Sequence, residues 1–271
     1  MGGSQPDPGP SLAAGTPVAS PGATIGTLKP TAAAEGLGRV YLVGAGPGAP
    51  DLLTLRAAHL LARADVVFTD ALVHPDTISL ASRAQIVFVG KRAGAPSSKQ
   101  ADINRLLIEA AHRHACVVRL KGGDPMVFGR AQEEIDALRQ AGIAFEVVPG
   151  VTAALAASAE LRRPLTQRAR SRHFVMVTPK HADGTPENDW VRPIVDADAA
   201  AVYMGGASIA KIAAALVRAG RPDTTPVILA HSVSLPEARY VSSTLGVVAG
   251  GGIDVATPVL VLIGETFGDP A

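Results

Sequence analysis

A strand that runs straight into paired glycines limits the fold of this chain more than any other feature. Arg119-Leu120-Lys121 is followed at once by Gly122-Gly123-Asp124-Pro125, then by Phe128-Gly129-Arg130 and Glu133-Glu134. Glycine adopts backbone conformations closed to other residues and lets main-chain N–H groups approach a ligand closely. In open α/β sheets, ligands bind at the carboxyl ends of the strands. The segment reads as a strand, a ligand-facing loop, and a helix whose first turn aims Arg130 and Glu133 at one crevice. A tight turn ahead of a solvated helix would use the same residues.

The flanking sequence repeats the pattern. Val40–Val43, Asp65–Asp70, Gln85–Val89, Cys116–Leu120 and Phe145–Val148 are short apolar runs, and Leu52–Ala64, Lys99–His112 and Ala131–Gln140 carry helical apolar spacing. Asp51 is placed to cap the first of these helices. Strands alternating with helices predict a mostly parallel sheet covered on both faces. Pro149-Gly150 punctuates the chain, and an Ala-rich helix over Thr152–Glu160 follows. Further strands are expected at His173–Thr178, Ala199–Met204, Val227–Ala230 and Val259–Gly264, with a helix at Ile209–Ala219. The expected fold class is α/β: two α/β domains, residues 38–150 and 151–271, with a ligand cleft between them. Residues 1–37, rich in Pro, Gly, Ala, Ser and Thr, read as a disordered tail without the marks of a signal or transit peptide.

Composition removes several function classes. The net charge of +1 and a charged fraction of 18% argue against a general nucleic-acid binder. No apolar run reaches the roughly 18 residues of a membrane span. The single cysteine, Cys116, lies in an apolar strand and reads as a buried structural thiol; without a disulfide framework the natural setting is a reducing cytoplasm. The seven histidines form no zinc-spaced cluster with it, so no metal is expected. Walker loops and Gly-x-Ser-x-Gly elbows are missing. The chemistry is therefore assigned to a bound cofactor and to positioning.

Three motifs bear on that cofactor. Gly44-Ala45-Gly46-Pro47-Gly48-Ala49 has the outline of a dinucleotide fingerprint, with Asp65 or Asp70 near the distance of a ribose ligand. Against that reading, Pro47 lacks an N–H and the helix opens only after Pro50, which leaves a pyrophosphate without its helix N-terminus. The loop suits close backbone contact with a ligand carrying no phosphate. Asp70, at the end of an apolar strand, either caps a turn or presents a carboxylate to the crevice. Lys91, Arg92 and Lys121 follow strands, Arg119 and Lys121 share one strand face if the strand extends that far, and Arg130, Arg162, Arg163, Arg168, Arg170 and Arg172 lie near expected loops. As a set they suit a polyanionic small molecule, since Arg clamps carboxylates bidentately.

Taken in order, Val43–Gly48, Asp65–Val73, Val89–Gly94, Arg119–Glu134, Val147–Ala154, Pro164–Arg168 and Tyr203–Gly205 resemble the tetrapyrrole methylases over residues 39 to 266. The resemblance implies S-adenosyl-L-methionine as methyl donor, two α/β domains with that cofactor in the cleft, and a homodimer. Its cofactor contacts would be Pro47, Gly122, Gly123, Asp124, Val127, Thr152, Ala153, Met204 and Val233. Asp70 and Lys91 align with residues that handle protons, and Arg130, Glu133 and Arg168 with residues that hold or activate the tetrapyrrole. The implied substrate is uroporphyrinogen III, whose eight carboxylates match the basic loops, methylated at C-2 and C-7 to precorrin-2. A later precorrin methyltransferase and a dinucleotide-dependent oxidoreductase are the alternatives. Thr178-Pro179-Lys180 and His231–Pro236 depart from the family pattern.

Overall fold

The computed structural model describes residues 36–89, 100–179, 189–251, 253 and 258–268. The expected tail lies almost wholly outside them, as do Lys91, Arg92, Lys180 and His181.

The first half builds on five strands: β1 (Arg39–Gly44), β2 (Val66–Thr69), β3 (Gln85–Phe88), β4 (Cys116–Lys121) and β5 (Ala144–Val148). They lie in the order β3-β2-β4-β1-β5, and every pairing is parallel. A two-residue side-chain period sorts these apolar strands onto two faces. Val40, Leu42, Val66, Phe68 and Val117 face helices α3 (Gln100–Ala111) and α4 (Ala131–Gln140). Val43, Val67, Val118, Leu120 and Val148 face α1 (Leu55–Arg63) and the short α2 (Pro75–Ser79).

The first helix starts later than expected. Pro50–Leu52 forms a separate 3-10 turn, and α1 begins at Leu55 with Thr54 as its cap, whose hydroxyl accepts the Ala57 N–H at 3.2 Å. Asp51 does not cap it; the extended backbone at Leu53 and Thr54 breaks the run the periodicity suggested.

The second half has strands β6 (Phe174–Val177), β7 (Ala199–Val202), β8 (Pro226–His231), β9 (Arg239–Thr244) and β10 (Val259–Gly264). Their order is β6-β7-β10-β8-β9. Only β6 and β7 run parallel; the remaining pairs are antiparallel. The mostly parallel sheet expected from the first set of strands is found there, and the second sheet is mostly antiparallel. Strand β9 (RYVSST) was missed because its polar, largely exposed edge carries no apolar run. One face packs against α6 (Val191–Asp196), α7 (Ile209–Arg218) and α8 (Leu245–Ala249). The other packs against the alanines of α5 (Ala153–Leu161). Small side chains on both sides, Ala154 and Ala157 against Ala199, Ala201 and Ala230, let that helix approach the sheet closely.

Candidate active site

Helices α1 and α4 follow neighbouring strands β1 and β4 onto opposite faces of the first sheet, so a crevice opens where the two chains diverge. Glycines line it. Gly46 and Gly123 exchange main-chain hydrogen bonds, Gly46 N to Gly123 O at 3.2 Å and Gly123 N to Gly46 O at 2.7 Å. Gly150, after β5, closes the group: a Cβ there would lie 2.3 Å from Gly123 O, and one at Gly44 would lie 2.6 Å from Gly150 Cα. Three loops thus meet backbone to backbone, at a separation that side chains forbid. Gly122 differs. It is exposed, and an added Cβ would meet only Leu72 Cβ, at 3.6 Å.

Two polar devices brace the junction. Asp124 accepts from Met126 N at 2.8 Å through Oδ1 and from Gly150 N at 2.9 Å through Oδ2. The Tyr203 hydroxyl, just past β7, accepts from Ala154 N at 3.1 Å and shares a 2.7 Å hydrogen bond with Thr152 Oγ1. Burial raises the Tyr203 pKa, against the opposing pull of those two hydrogen bonds. Its ring meets Phe128 of the β4 loop at 5.2 Å between centroids, which ties the two halves together over the crevice. A second tie is Ser234 Oγ, which accepts from Ala49 N at 2.9 Å. Ser232 and Ser234 reach it with left-handed backbones, φ 47° and 70°.

Charge collects at one side. Arg119 Nη2 donates to Asp70 Oδ1 at 2.6 Å, and Arg119 Nε to Glu134 Oε1 at 3.1 Å. Lys121 Nζ donates to both Glu134 oxygens, at 3.0 and 3.1 Å. Arg119 and Lys121 are therefore buried structural cations, not loop charges free to bind a polyanion; their strand parity turns them inward, onto α4. Arg130 pairs bidentately with Glu133, both contacts at 2.7 Å, and both side chains are about half exposed. That pairing raises the Arg130 pKa, chiefly through the hydrogen bond to Glu133.

The structure separates the residues singled out in the sequence. Pro47, Gly122, Gly123, Asp124 and Val127 sit in the β1 and β4 loops, and Thr152, Ala153 and Met204 lie beside the Tyr203 brace. Met204 is 46% exposed on a left-handed backbone, φ 57°. Asp124 and Thr152 have committed their side chains to the protein, and Val233 is buried against the second sheet. Asp70, Arg130 and Glu133 stand on the charged side, while Arg168 is exposed in the loop after α5. Lys91 is outside the described residues. Asp65, weighed as a ribose ligand, accepts from Cys116 N at 2.8 Å at the amino ends of β2 and β4, the wrong edge for this crevice. Cys116 is half-buried, and burial raises its pKa, as expected of an inert thiol. Tyr203 as a brace and Glu134 as a buried acid were not anticipated. Two cations alternating on an apolar strand were the signal for Glu134.

The tetrapyrrole (corrin/porphyrin) methylase profile matches residues 39–249. A siroheme synthase of Chromobacterium violaceum is 44% identical over 237 residues, 86% of this chain and 50% of that protein; the chain spans about half the length of the curated relatives it matches. Uroporphyrin-III C-methyl transferase from Thermus thermophilus superposes in its native form with a TM-score of 0.76 at 43% identity, over 84% of this chain and 98% of that one. Its complex with S-adenosyl homocysteine gives 0.75 at 42%, over 84% and 93%. A cobalt precorrin-4 methyltransferase gives 0.74 at 26%, over 86% and 96%.

Proposed function

This chain belongs to the tetrapyrrole (corrin/porphyrin) methylases, and on that premise we propose that it is an S-adenosyl-L-methionine-dependent C-methyltransferase that methylates uroporphyrinogen III at C-2 and C-7 to give precorrin-2. The observation that carries the reading is the glycine junction of three loops at the strand ends, with Asp70 and the Arg130–Glu133 pair beside it. The identity to the Thermus enzyme over nearly its whole length supports the choice of substrate.

The crevice fits the cofactor. Gly122 stands open to it, Met204 is exposed beside it, and the loops offer main-chain groups without phosphate-binding helix ends. Pro47, Gly122, Gly123, Val127, Ala153 and Met204 would hold it directly. Asp124, Thr152 and Val233 would act mainly by shaping the loops, because their side chains are engaged or buried. When bound, the cofactor supplies an electrophilic methyl group on a sulfonium.

The protein's own work is alignment, exclusion of water and charge placement. A pyrrole β-carbon is nucleophilic without activation by a metal or a covalent intermediate. Alkylation leaves positive charge on the tetrapyrrole, and the Asp70 carboxylate is the group that stabilises it. Asp70 then assists loss of the ring proton, with Lys91 as its partner in proton handling. Arg130 and Arg168 bind substrate carboxylates, and Glu133 fixes the Arg130 fork. Two copies of the chain form the working enzyme, in the cytoplasm; no helix among the described residues is long and apolar enough to cross a membrane.

A competition assay tests the substrate choice. Uroporphyrinogen III and a later precorrin are offered together with the methyl donor under anaerobic conditions. Methylation of uroporphyrinogen III is expected; methylation of the later precorrin alone overturns the proposal.

A further inference from the structure

Beneath the Gly122-Gly123 loop, four charges form a closed group. Glu134 is fully buried, and Arg119 and Lys121 are each 3% exposed. Besides its bonds from Arg119 and Lys121, Glu134 Oε1 accepts from Gln100 Nε2 at 3.2 Å. Arg119 is engaged at every nitrogen: Nε on Glu134, Nη1 on Leu120 O at 3.1 Å, and Nη2 on Asp70. Asp70 Oδ2 makes no hydrogen bond among the described residues, and the Asp70 side chain is 29% exposed. Glu134 holds the guanidinium from behind and leaves one arm of its fork for Asp70.

The same acid reaches the other side of the site. Lys121 Cε would lie 3.1 Å from a Cβ at Gly129, so the lysine stem runs directly under the turn that carries Arg130. That turn is strained: Phe128 and Arg130 both have left-handed backbones, φ 51° and 55°. Burial, then the neighbouring Arg119 charge, lowers the Lys121 pKa; Glu134 and Asp70 oppose both. Burying three of these ions carries a desolvation cost that their pairing must offset, and apolar residues of similar volume often fill such a place at no loss. Stability alone does not account for the group.

We infer that Glu134 is a positioning residue for methyl transfer: through Arg119 it fixes the Asp70 carboxylate, and through Lys121 it seats the Arg130 turn. This rests on the proposed function. Glu134→Gln keeps the shape but offers one accepting oxygen to three donors and leaves the group with an unbalanced positive charge.

The test is a double-mutant cycle on E134Q and D70N, read in two ways. In turnover, E134Q lowers kcat about 100-fold, the cost of a misplaced reacting group, while KM for S-adenosyl-L-methionine holds. In the D70N background the same change costs distinctly less turnover, because only the arm through Lys121 and the Arg130 turn is left to lose. In denaturant unfolding, the two substitutions are non-additive. Unchanged kcat in E134Q, an equal loss in both backgrounds, or additive stability changes each overturn the inference. If E134Q alone does not fold, the charge-balanced pair K121M/E134Q replaces it in both cycles. A folded wild type that leaves uroporphyrinogen III unmethylated defeats the function reading, and the unfolding cycle then decides this one.

Discussion

Asp70 and Arg119 are 49 residues apart in the chain and 2.6 Å apart in space, at the carboxyl ends of the adjacent strands β2 and β4. The contact joins a partly exposed acid to a buried cation, so the carboxylate at the crevice is held from inside the sheet. An acid fixed this way meets developing positive charge without first reorganising.

Replacing Asp70 by Asn removes that charge and keeps the shape. Turnover should fall by about 10²–10⁴-fold, the usual worth of a positioned acid or base. Affinity for S-adenosyl-L-homocysteine, measured by calorimetry, should change little. Full turnover in D70N would remove Asp70 from the mechanism.

The glycines should separate by role. G150A places a methyl 2.3 Å from Gly123 O, where only backbone can yield. It should cost about 1–3 kcal/mol of stability through overpacking and lower the melting temperature. G122A meets only Leu72 Cβ at 3.6 Å. It should keep the wild-type melting temperature and lose cofactor affinity, because its methyl enters the crevice. Equal losses of stability in both variants would contradict this division.

Arg130→Ala breaks an exposed ion pair, and such pairs contribute about 0–1 kcal/mol. The variant should fold and bind S-adenosyl-L-homocysteine normally, yet show no measurable methyl transfer. R130K should recover little, since an ammonium cannot reproduce the bidentate fork. Turnover equal to wild type would exclude Arg130 from substrate binding.

Y203F strips Thr152 and Ala154 of a shared partner. Leaving buried groups unpaired costs about 1–3 kcal/mol, visible in denaturant unfolding. The pH dependence has a definite sign. Burial raises the Tyr203 pKa in the folded state, so folding favours the protonated phenol. Its contribution is complete below the ordinary tyrosine pKa of about 10 and is lost as pH rises through the folded value. Wild-type stability should therefore fall more steeply above that pH than stability of Y203F. Parallel curves would contradict the assignment.

The first sheet was legible because its central strands β1, β2 and β4 are buried and its strands read as short apolar runs between helices. The second was less so. Strand β9 is polar, and its antiparallel pairing with β8 depends on contacts that no local pattern encodes. Within the site, the glycines announced themselves through spacing, since few backbones need so many at strand ends. The basic residues misled as a set: Arg119 and Lys121, counted toward a polyanion site, share one face of β4 and turn into the protein to meet Glu134. Tyr203 became visible as a brace only once the fold brought it to Thr152, 51 residues away.

One assay bears most directly on the central claim. The purified chain is incubated anaerobically with S-adenosyl-L-methionine and freshly reduced uroporphyrinogen III, and the tetrapyrrole mass is followed. The account predicts a gain of two methyl groups with two equivalents of S-adenosyl-L-homocysteine formed. A tetrapyrrole unchanged in mass, in a sample that still binds S-adenosyl-L-homocysteine, would contradict it.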